Sequence, residues 1–214
     1  MEFKEWEPVY SRILEDMGFS REEDERAALI LSRMLDPSRT APVSVLHELI
    51  CGKDVLVCGN APGLKNELGS IDAGNYVVIA ADGAAAIVLG FGVVPDIIVT
   101  DLDGDVEKEI TANSMGSLMV VHAHGDNIDK LERFVPLLDR IIGTTQSVPL
   151  DNVYDFGGFS DGDRCVFLAR EFGAASITLI GFDLDDKNVT HVKKKKLRWA
   201  KKLIKELFPE LWAG

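Results

Sequence analysis

Two amphipathic stripes open the chain. Trp6, Tyr10, Ile13, Leu14 and Met17 recur at three- and four-residue spacing, which predicts a helix. Ala27, Ala28, Ile30, Leu31, Met34 and Leu35 repeat the pattern after Ser20-Arg21-Glu22-Glu23, which reads as a capping box. Asp36-Pro37 ends the second stripe, and a third, shorter helix is predicted over residues 43–50 with Ser44 as its cap. From Asp54 the rhythm changes. Short apolar runs at residues 55–58, 76–81, 97–100, 118–121, 140–143 and 177–181 alternate with helix-length segments. That alternation predicts βα units and an α/β fold, a Rossmann-like, mostly parallel sheet flanked by helices. Leu197, Ala200, Leu203, Ile204 and Leu207, following the run Lys193 to Lys196, predict a C-terminal helix with a basic face. The chain therefore divides into a helical extension, residues 1–50, and an α/β domain, residues 51–214.

The 214 residues, 46% hydrophobic and 27% charged, suffice for one sizeable core. A formal net charge of −12 argues against general affinity for nucleic acid or for an anionic membrane. An anionic substrate then needs local neutralisation, by a metal or by a few Lys and Arg. No apolar run approaches the roughly 20 residues of a membrane span, and the N-terminus is acidic and amphipathic rather than signal-like. Cys51, Cys58 and Cys165, odd in number and outside any CxxC spacing, suggest neither a disulfide framework nor a zinc site and fit a reducing cytoplasm. No catalytic residue type is concentrated in residues 1–50. Trp6, Tyr10, Trp199 and Trp212 are expected either to pack helices onto the sheet or to build a homodimer contact.

The chemistry gathers where the apolar runs end, and in open parallel sheets ligands bind outside the carboxyl ends of the strands. Ile97-Ile98-Val99-Thr100 leads into Asp101-Leu102-Asp103-Gly104-Asp105, and the run ending at Ala81 leads into Asp82-Gly83. In an extended strand Asp101 and Asp103 point to one side, roughly 6 to 7 Å apart. Two such carboxylates repel by roughly 2 to 3 kcal/mol at an effective dielectric near 20, and a bound Mg²⁺ removes that repulsion. Gly59-Asn60-Ala61-Pro62-Gly63 follows the first run, a glycine-bearing loop of the kind that lets backbone amides approach a phosphate, although it is neither GxGxxG nor a Walker loop. His122 and His124, with Asp126 in reach, suit phosphate contact or polar packing better than zinc, which lacks a third nitrogen or sulfur ligand here. Gly143-Thr144-Thr145-Gln146-Ser147 offers hydrogen-bonding side chains for a heterocycle edge or phosphate. Phe156 and Phe159, beside Gly157-Gly158 and ahead of Arg164, serve either a flat ring or the core.

Taken in order, Gly59-Asn60-Ala61-Pro62-Gly63, Ala81-Asp82-Gly83-Ala84, Thr100-Asp101-Leu102-Asp103-Gly104-Asp105, His122-Ala123-His124-Gly125-Asp126-Asn127 and Gly157-Gly158-Phe159-Ser160-Asp161-Gly162-Asp163-Arg164 resemble the archaeal 6-hydroxymethyl-7,8-dihydropterin diphosphokinase family. The resemblance covers residues 50 to 186. Thiamine diphosphokinases share part of it, but they continue into a C-terminal β-sandwich where this chain ends in a predicted helix. The resemblance implies transfer of diphosphate from ATP to the hydroxymethyl group of a reduced pterin, with release of AMP, a requirement for Mg²⁺ and a place in folate or methanopterin synthesis. On this reading Asp82, Asp101 and Asp103 hold the metal, and Asp126 or Asp105 takes the proton of the attacking alcohol. Gly59, Asn60, Gly63, Gly83, Thr145, His122, His124 and Arg164 contact the nucleotide and its phosphates. A metal-dependent phosphohydrolase or a glycosyltransferase-like protein on the same crevice is the competing class.

Overall fold

In the computed structural model, which describes residues 2–209, the apolar runs form a sheet of seven strands. They are β1 (Asp54–Cys58), β2 (Val77–Ala81), β3 (Ile97–Thr100), β4 (Leu118–Ala123), β5 (Ile141–Thr145), β6 (Val153–Tyr154) and β7 (Ser176–Ile180). Every pairing is parallel, in the order β6-β5-β4-β3-β2-β1-β7. The chain winds outward from β1 to β6, then returns across the sheet to lay β7 on the other side of β1. The longer helices are α1 (Phe3–Met17), α2 (Arg21–Met34), α3 (Ser44–Ile50), α4 (Leu64–Leu68), α5 (Ala84–Gly90), α6 (Val106–Ser114), α7 (Ile128–Phe134), α8 (Asp161–Glu171) and α9 (His191–Leu207).

Strand alternation divides the core into two layers. Leu56, Val78, Ile98, Met119 and Val121 pack on one face with α2, α4, α5, α6 and α7; Val55, Val57, Ile79, Val99 and Val120 pack on the other with α1, α3, α8 and α9. The strands are apolar throughout because both faces are covered. Helices α1 and α2 thus lie on opposite faces, joined by a turn in which Gly18 adopts φ 72 to end α1.

Several boundaries differ from the sequence expectations. Ser20 does cap α2, accepting from Glu23 N–H at 3.3 Å, but its hydroxyl reaches Glu22 rather than completing a reciprocal box with Glu23. Ser44 is the first residue of α3 and not its cap, because the preceding turn closes from Val45 N–H to Pro42 carbonyl. Strand β5 starts one residue late and runs two residues further than expected, since Arg140 sits at φ 51 and cannot extend the ladder. Strand β6, two residues long, has no sequence signature. Trp6 and Tyr10 are fully buried; the Trp6 indole donates to the Gln146 carbonyl at 3.0 Å and meets Phe167 edge-on, so both residues pack helix to sheet. Trp199 donates to Asp16 at 2.9 Å, and Trp212 lies outside the described residues. No helix among the described residues is long and apolar enough to cross a membrane.

Candidate active site

At the carboxyl ends of β2 to β5 a cavity of about 520 Å³ opens, within the usual size range for small-molecule sites. Asp82, Asp101 and Asp103 form one end of it, each offering a carboxylate oxygen within 4.8 Å of the others. Strand periodicity is not what brings them together. β3 stops at Thr100, whose hydroxyl accepts Leu102 N–H at 2.8 Å, and Leu102 turns to φ 64, folding Asp103 back toward Asp101. The separation is shorter than the 6 to 7 Å of an extended strand for that reason. Charges this close repel by roughly 3 to 4 kcal/mol at an effective dielectric near 20, less at exposed Asp103 where water screens them. Asp82 adopts φ 39, an uncommon backbone for a side-chain-bearing residue, and is pinned there by Thr100 hydroxyl at 3.1 Å and Gly104 N–H at 3.0 Å, both on Oδ1. A Cβ on Gly104 would come within 2.6 Å of the Asp82 carboxylate, so this approach requires glycine.

The electrostatics follow the crowding. Burial and then the charges of Asp101 and Asp82 raise the pKa of Asp103. Burial also pushes on Asp101, but the hydrogen bond and charge of His124, with Lys196 and Lys130, outweigh it and hold this carboxyl below its ordinary value. His124 Nε2 lies 3.1 Å from Asp101 Oδ2, while Asp101 Oδ1 is buried with no hydrogen-bond partner. An orphaned carboxylate oxygen among three converging carboxylates fits a hard divalent cation. Asp161, at the start of α8, is pushed well up by burial and by Asp101 and Asp82. Glu109, buried on α6 against Thr100, is raised to about 9 by burial and then by Asp82. Thr190, Lys193 and Lys196 of the α9 start line the same cavity, Lys196 within electrostatic reach of Asp101, and Lys130 stands 3.8 Å from Asp103.

The remaining expected residues divide. His122, His124, Asp126 and Arg164 line the cavity; Gly59, Asn60, Gly63, Gly83 and Thr145 do not. Thr145 turns back to Ser147, bonding its N–H at 3.1 Å and its hydroxyl at 2.9 Å, and the next residue, Gln146, reaches the cavity instead. Gly59 serves the close crossing of two loops: a Cβ there would meet Gly181 carbonyl at 2.6 Å. Asn60 lies over Gly83, where a Cβ would meet its amide at 2.4 Å. Asp105 caps α6 through Lys108 N–H at 3.3 Å, which occupies it structurally. Phe156 packs between Tyr154 and Phe172, whereas Phe159 lines the cavity. Sequence reasoning reached Gln146 and Asp161 only as members of longer stretches, and it did not single out Asp24, Glu109 or Phe19. Asp24 and Glu109 carry a signal, a carboxylate inside an apolar helix stripe: Asp24 with Ala27, Ala28 and Leu31, and Glu109 with Val106 and Ala112.

Fold and site together define an α/β enzyme with an acidic, cation-fitting crevice at the carboxyl ends of a parallel sheet. The chain belongs to the family described as 6-hydroxymethylpterin diphosphokinase MptE-like, whose model matches residues 32–189. It is 40% identical to the 6-hydroxymethyl-7,8-dihydropterin pyrophosphokinase of Methanocaldococcus jannaschii, over 97% of this chain and 96% of that protein. Proteins of the same name from Pyrococcus furiosus and Methanothermobacter thermautotrophicus are each 42% identical, over 97% and 95% of this chain and 94% of each relative. Among solved structures, the MAf glycosyltransferase from Magnetospirillum magneticum AMB-1 superposes with a TM-score of 0.54 at 15% identity. That match covers 86% of this chain but 32% of the glycosyltransferase, and it speaks to the fold alone.

Proposed function

We propose that this chain transfers diphosphate from ATP to 6-hydroxymethyl-7,8-dihydropterin, releasing AMP, in a Mg²⁺-dependent step of folate or methanopterin synthesis. The observation that carries the reading is the convergence of Asp82, Asp101 and Asp103 in a cavity that Lys193 and Lys196 also line, in a chain of this family. Asp82, Asp101 and Asp103 would hold the metal, which when bound supplies positive charge against the phosphates. Lys193 and Lys196 neutralise phosphate oxygens, which answers the problem that a chain of net charge −12 poses for an anionic substrate. The substrate hydroxyl oxygen forms a bond to the β-phosphorus, the bond from that phosphorus to the α,β-bridging oxygen breaks, and AMP leaves with the oxygen. The proton of the hydroxyl goes to the exposed carboxylate of Asp126 on the cavity wall. Catalysis is then mostly positioning and electrostatics.

The test follows AMP formation from ATP and Mg²⁺ with 6-hydroxymethyl-7,8-dihydropterin, and with thiamine in parallel. AMP with the pterin alone is expected. Release of inorganic phosphate without an acceptor would favour a phosphohydrolase instead. Asp101→Asn should lower the rate at least about 10²-fold, the order seen when one principal electrostatic contributor is lost; a near-normal rate across Mg²⁺ concentrations would remove Asp101 from the metal site.

A further inference from the structure

His122, which lines the cavity, carries a buried acceptor that the protein leaves unpaired. His122 is 1% exposed, and its Nδ1 lies 3.2 Å from Thr144 Oγ1. Thr144 donates its one hydroxyl hydrogen to the Val121 carbonyl at 3.1 Å. Only lone pairs of that oxygen then face His122, so the imidazole proton sits on Nδ1 and Nε2 is bare. Nε2 is buried with no hydrogen-bond partner, in a residue that lines the cavity. Burial, and then the charges of Arg164, His124 and Lys196, press the ring toward its neutral form. A neutral imidazole lone pair repels phosphate oxygens and accepts from an N–H or O–H group.

Its surroundings suit an uncharged flat ring. Arg164 donates to Gln146 Oε1 at 2.9 Å and Gln146 donates to Asp24 Oδ2 at 2.7 Å, a buried polar chain along the same cavity. Phe19 and Phe159 add an aromatic wall, their rings 6.4 Å apart and tilted by 46°. The His122 ring lies 6.0 Å from that of His124, which holds Asp101, so a short substituent on a ring bound here reaches the carboxylate cluster.

We infer that the cavity is divided, and that its His122, Gln146 and Asp24 end, walled by Phe19 and Phe159, binds the uncharged heterocycle of the acceptor substrate, with His122 Nε2 accepting a hydrogen bond from it. The nucleotide phosphates occupy the end formed by Asp101, Asp103, Lys193 and Lys196. This assignment rests on the reading of the acceptor as a pterin. It also gives His122 a role in ring recognition rather than phosphate contact.

Three variants of the full chain test it. His122→Asn keeps a donor toward Thr144 and removes the acceptor at the Nε2 position; His122→Gln restores an acceptor there; Phe19→Ala removes the half-exposed aromatic wall. Two readouts are needed: Kd for 6-hydroxymethylpterin, followed by its fluorescence without nucleotide, and separate KM values for pterin and ATP. His122→Asn should weaken pterin Kd and KM at least about 10-fold, equivalent to about 1.4 kcal/mol, with ATP KM within about twofold. His122→Gln should recover most of the loss, and Phe19→Ala should weaken the ring alone with an unchanged Tm. A rise in ATP KM at constant pterin KM overturns the division. If the wild type releases no AMP with the pterin, the proposed function falls while the binding arm still decides. Ring binding lost in His122→Asn and kept in His122→Gln supports the subsite; no ring binding by the wild type, or equal binding by every variant, overturns it.

Discussion

Glu109 should make the protein less stable as pH rises, and Glu109→Gln should abolish that loss. The side chain is 1% exposed and meets Thr100 Oγ1 at 3.0 and 3.2 Å. Thr100 has one hydrogen and two lone pairs. Leu102 N–H takes one lone pair at 2.8 Å, and the single hydrogen has Asp82 Oδ1 at 3.1 Å and the Glu109 oxygens as competing acceptors; it cannot serve two charged carboxylates at once, and a proton on Glu109 removes the conflict. Burial and then the charge of Asp82 raise its pKa to about 9 from the ordinary 4.5, outweighing the opposite pull of the Thr100 hydroxyl. Because the folded value lies above the unfolded one, the native state holds the proton that the unfolded state releases. The stabilisation is complete below about pH 4.5 and is lost as pH rises toward about 9. At pH 7 the loss is roughly 3 kcal/mol, from about 1.4 kcal/mol per pH unit over about 2.5 units. Gln has nearly the same shape, stays neutral and offers Thr100 both an amide oxygen and an N–H. Urea unfolding in the presence of a chelator should therefore show the variant and the wild type nearly equal near pH 5, with the variant gaining up to about 1.4 kcal/mol per pH unit through about pH 8. In a chain of this size about 3 kcal/mol corresponds to a rise in Tm of roughly 6 to 12 °C. Asp155, raised to about 7 mainly by burial, and Asp161 add slopes of the same sign, but they cancel in the difference. A difference that stays flat from about pH 5 to pH 8 would show that Glu109 is ionised in the native state and refute the hydrogen-bond count.

Three further outcomes follow from the same geometry. Lys196→Ala should raise ATP KM about 10-fold, the loss of one charge-assisted phosphate contact, while Tm stays put because the side chain is only half-buried; steady-state kinetics at varied ATP checks it. Gly181→Ala should destabilise by at least about 2 kcal/mol, since φ 69 is strained for alanine and the new Cβ would stand 2.2 Å from the Gly59 carbonyl; chemical unfolding reads the loss. Leu31→Ala empties a fully buried position of the core layer that holds α2 to the sheet and should cost about 2 to 5 kcal/mol by the same measurement.

The parallel sheet was legible because β1 to β5 each pair on both sides and have both faces covered, and the edge strand β7 still carries an apolar run against β1, so such a run marks each of these strands. β6 escaped because two residues held at the sheet edge through Gly143 and Thr144 need no pattern of their own. At the site, the acidic strand end was legible as composition and illegible as geometry. Leu102 at φ 64 and the Thr100 hydroxyl set how closely Asp101 and Asp103 approach, and neither is visible in residue spacing. The displacement from Thr145 to Gln146 has a similar origin, because a threonine that closes its own turn on Ser147 is spent before it can face a ligand. Asp161 and Lys196 stood out as parts of an acidic helix start and a lysine run, the run open to reading as solvated surface or as phosphate neutralisation; their reach to Asp101 depends on the crossover through α8 and the placement of α9.

The N-terminal helices read as packing for a sound chemical reason, and the structure gives that packing a second consequence. With α1 on one face of the sheet and α2 on the other, the turn joining them has to pass the sheet's end, and it does so at the carboxyl ends of the strands. Gly18, Phe19 and Ser20 in that turn, with Glu23 and Asp24 just beyond, consequently line the cavity. Asp24 is held by Tyr10 hydroxyl at 2.8 Å, Gly125 N–H at 2.9 Å and the Gln146 amide at 2.7 Å, so the turn is fixed to β5 and to the loop after β4. These residues lie outside the Asp82, Asp101 and Asp103 cluster, and no concentration of catalytic residue types marks their stretch of the sequence. Their contribution is shape, a wall whose position depends on a buried hydrogen-bond network, and such walls become visible in a sequence only once a carboxylate like Asp24 is seen to interrupt an apolar stripe.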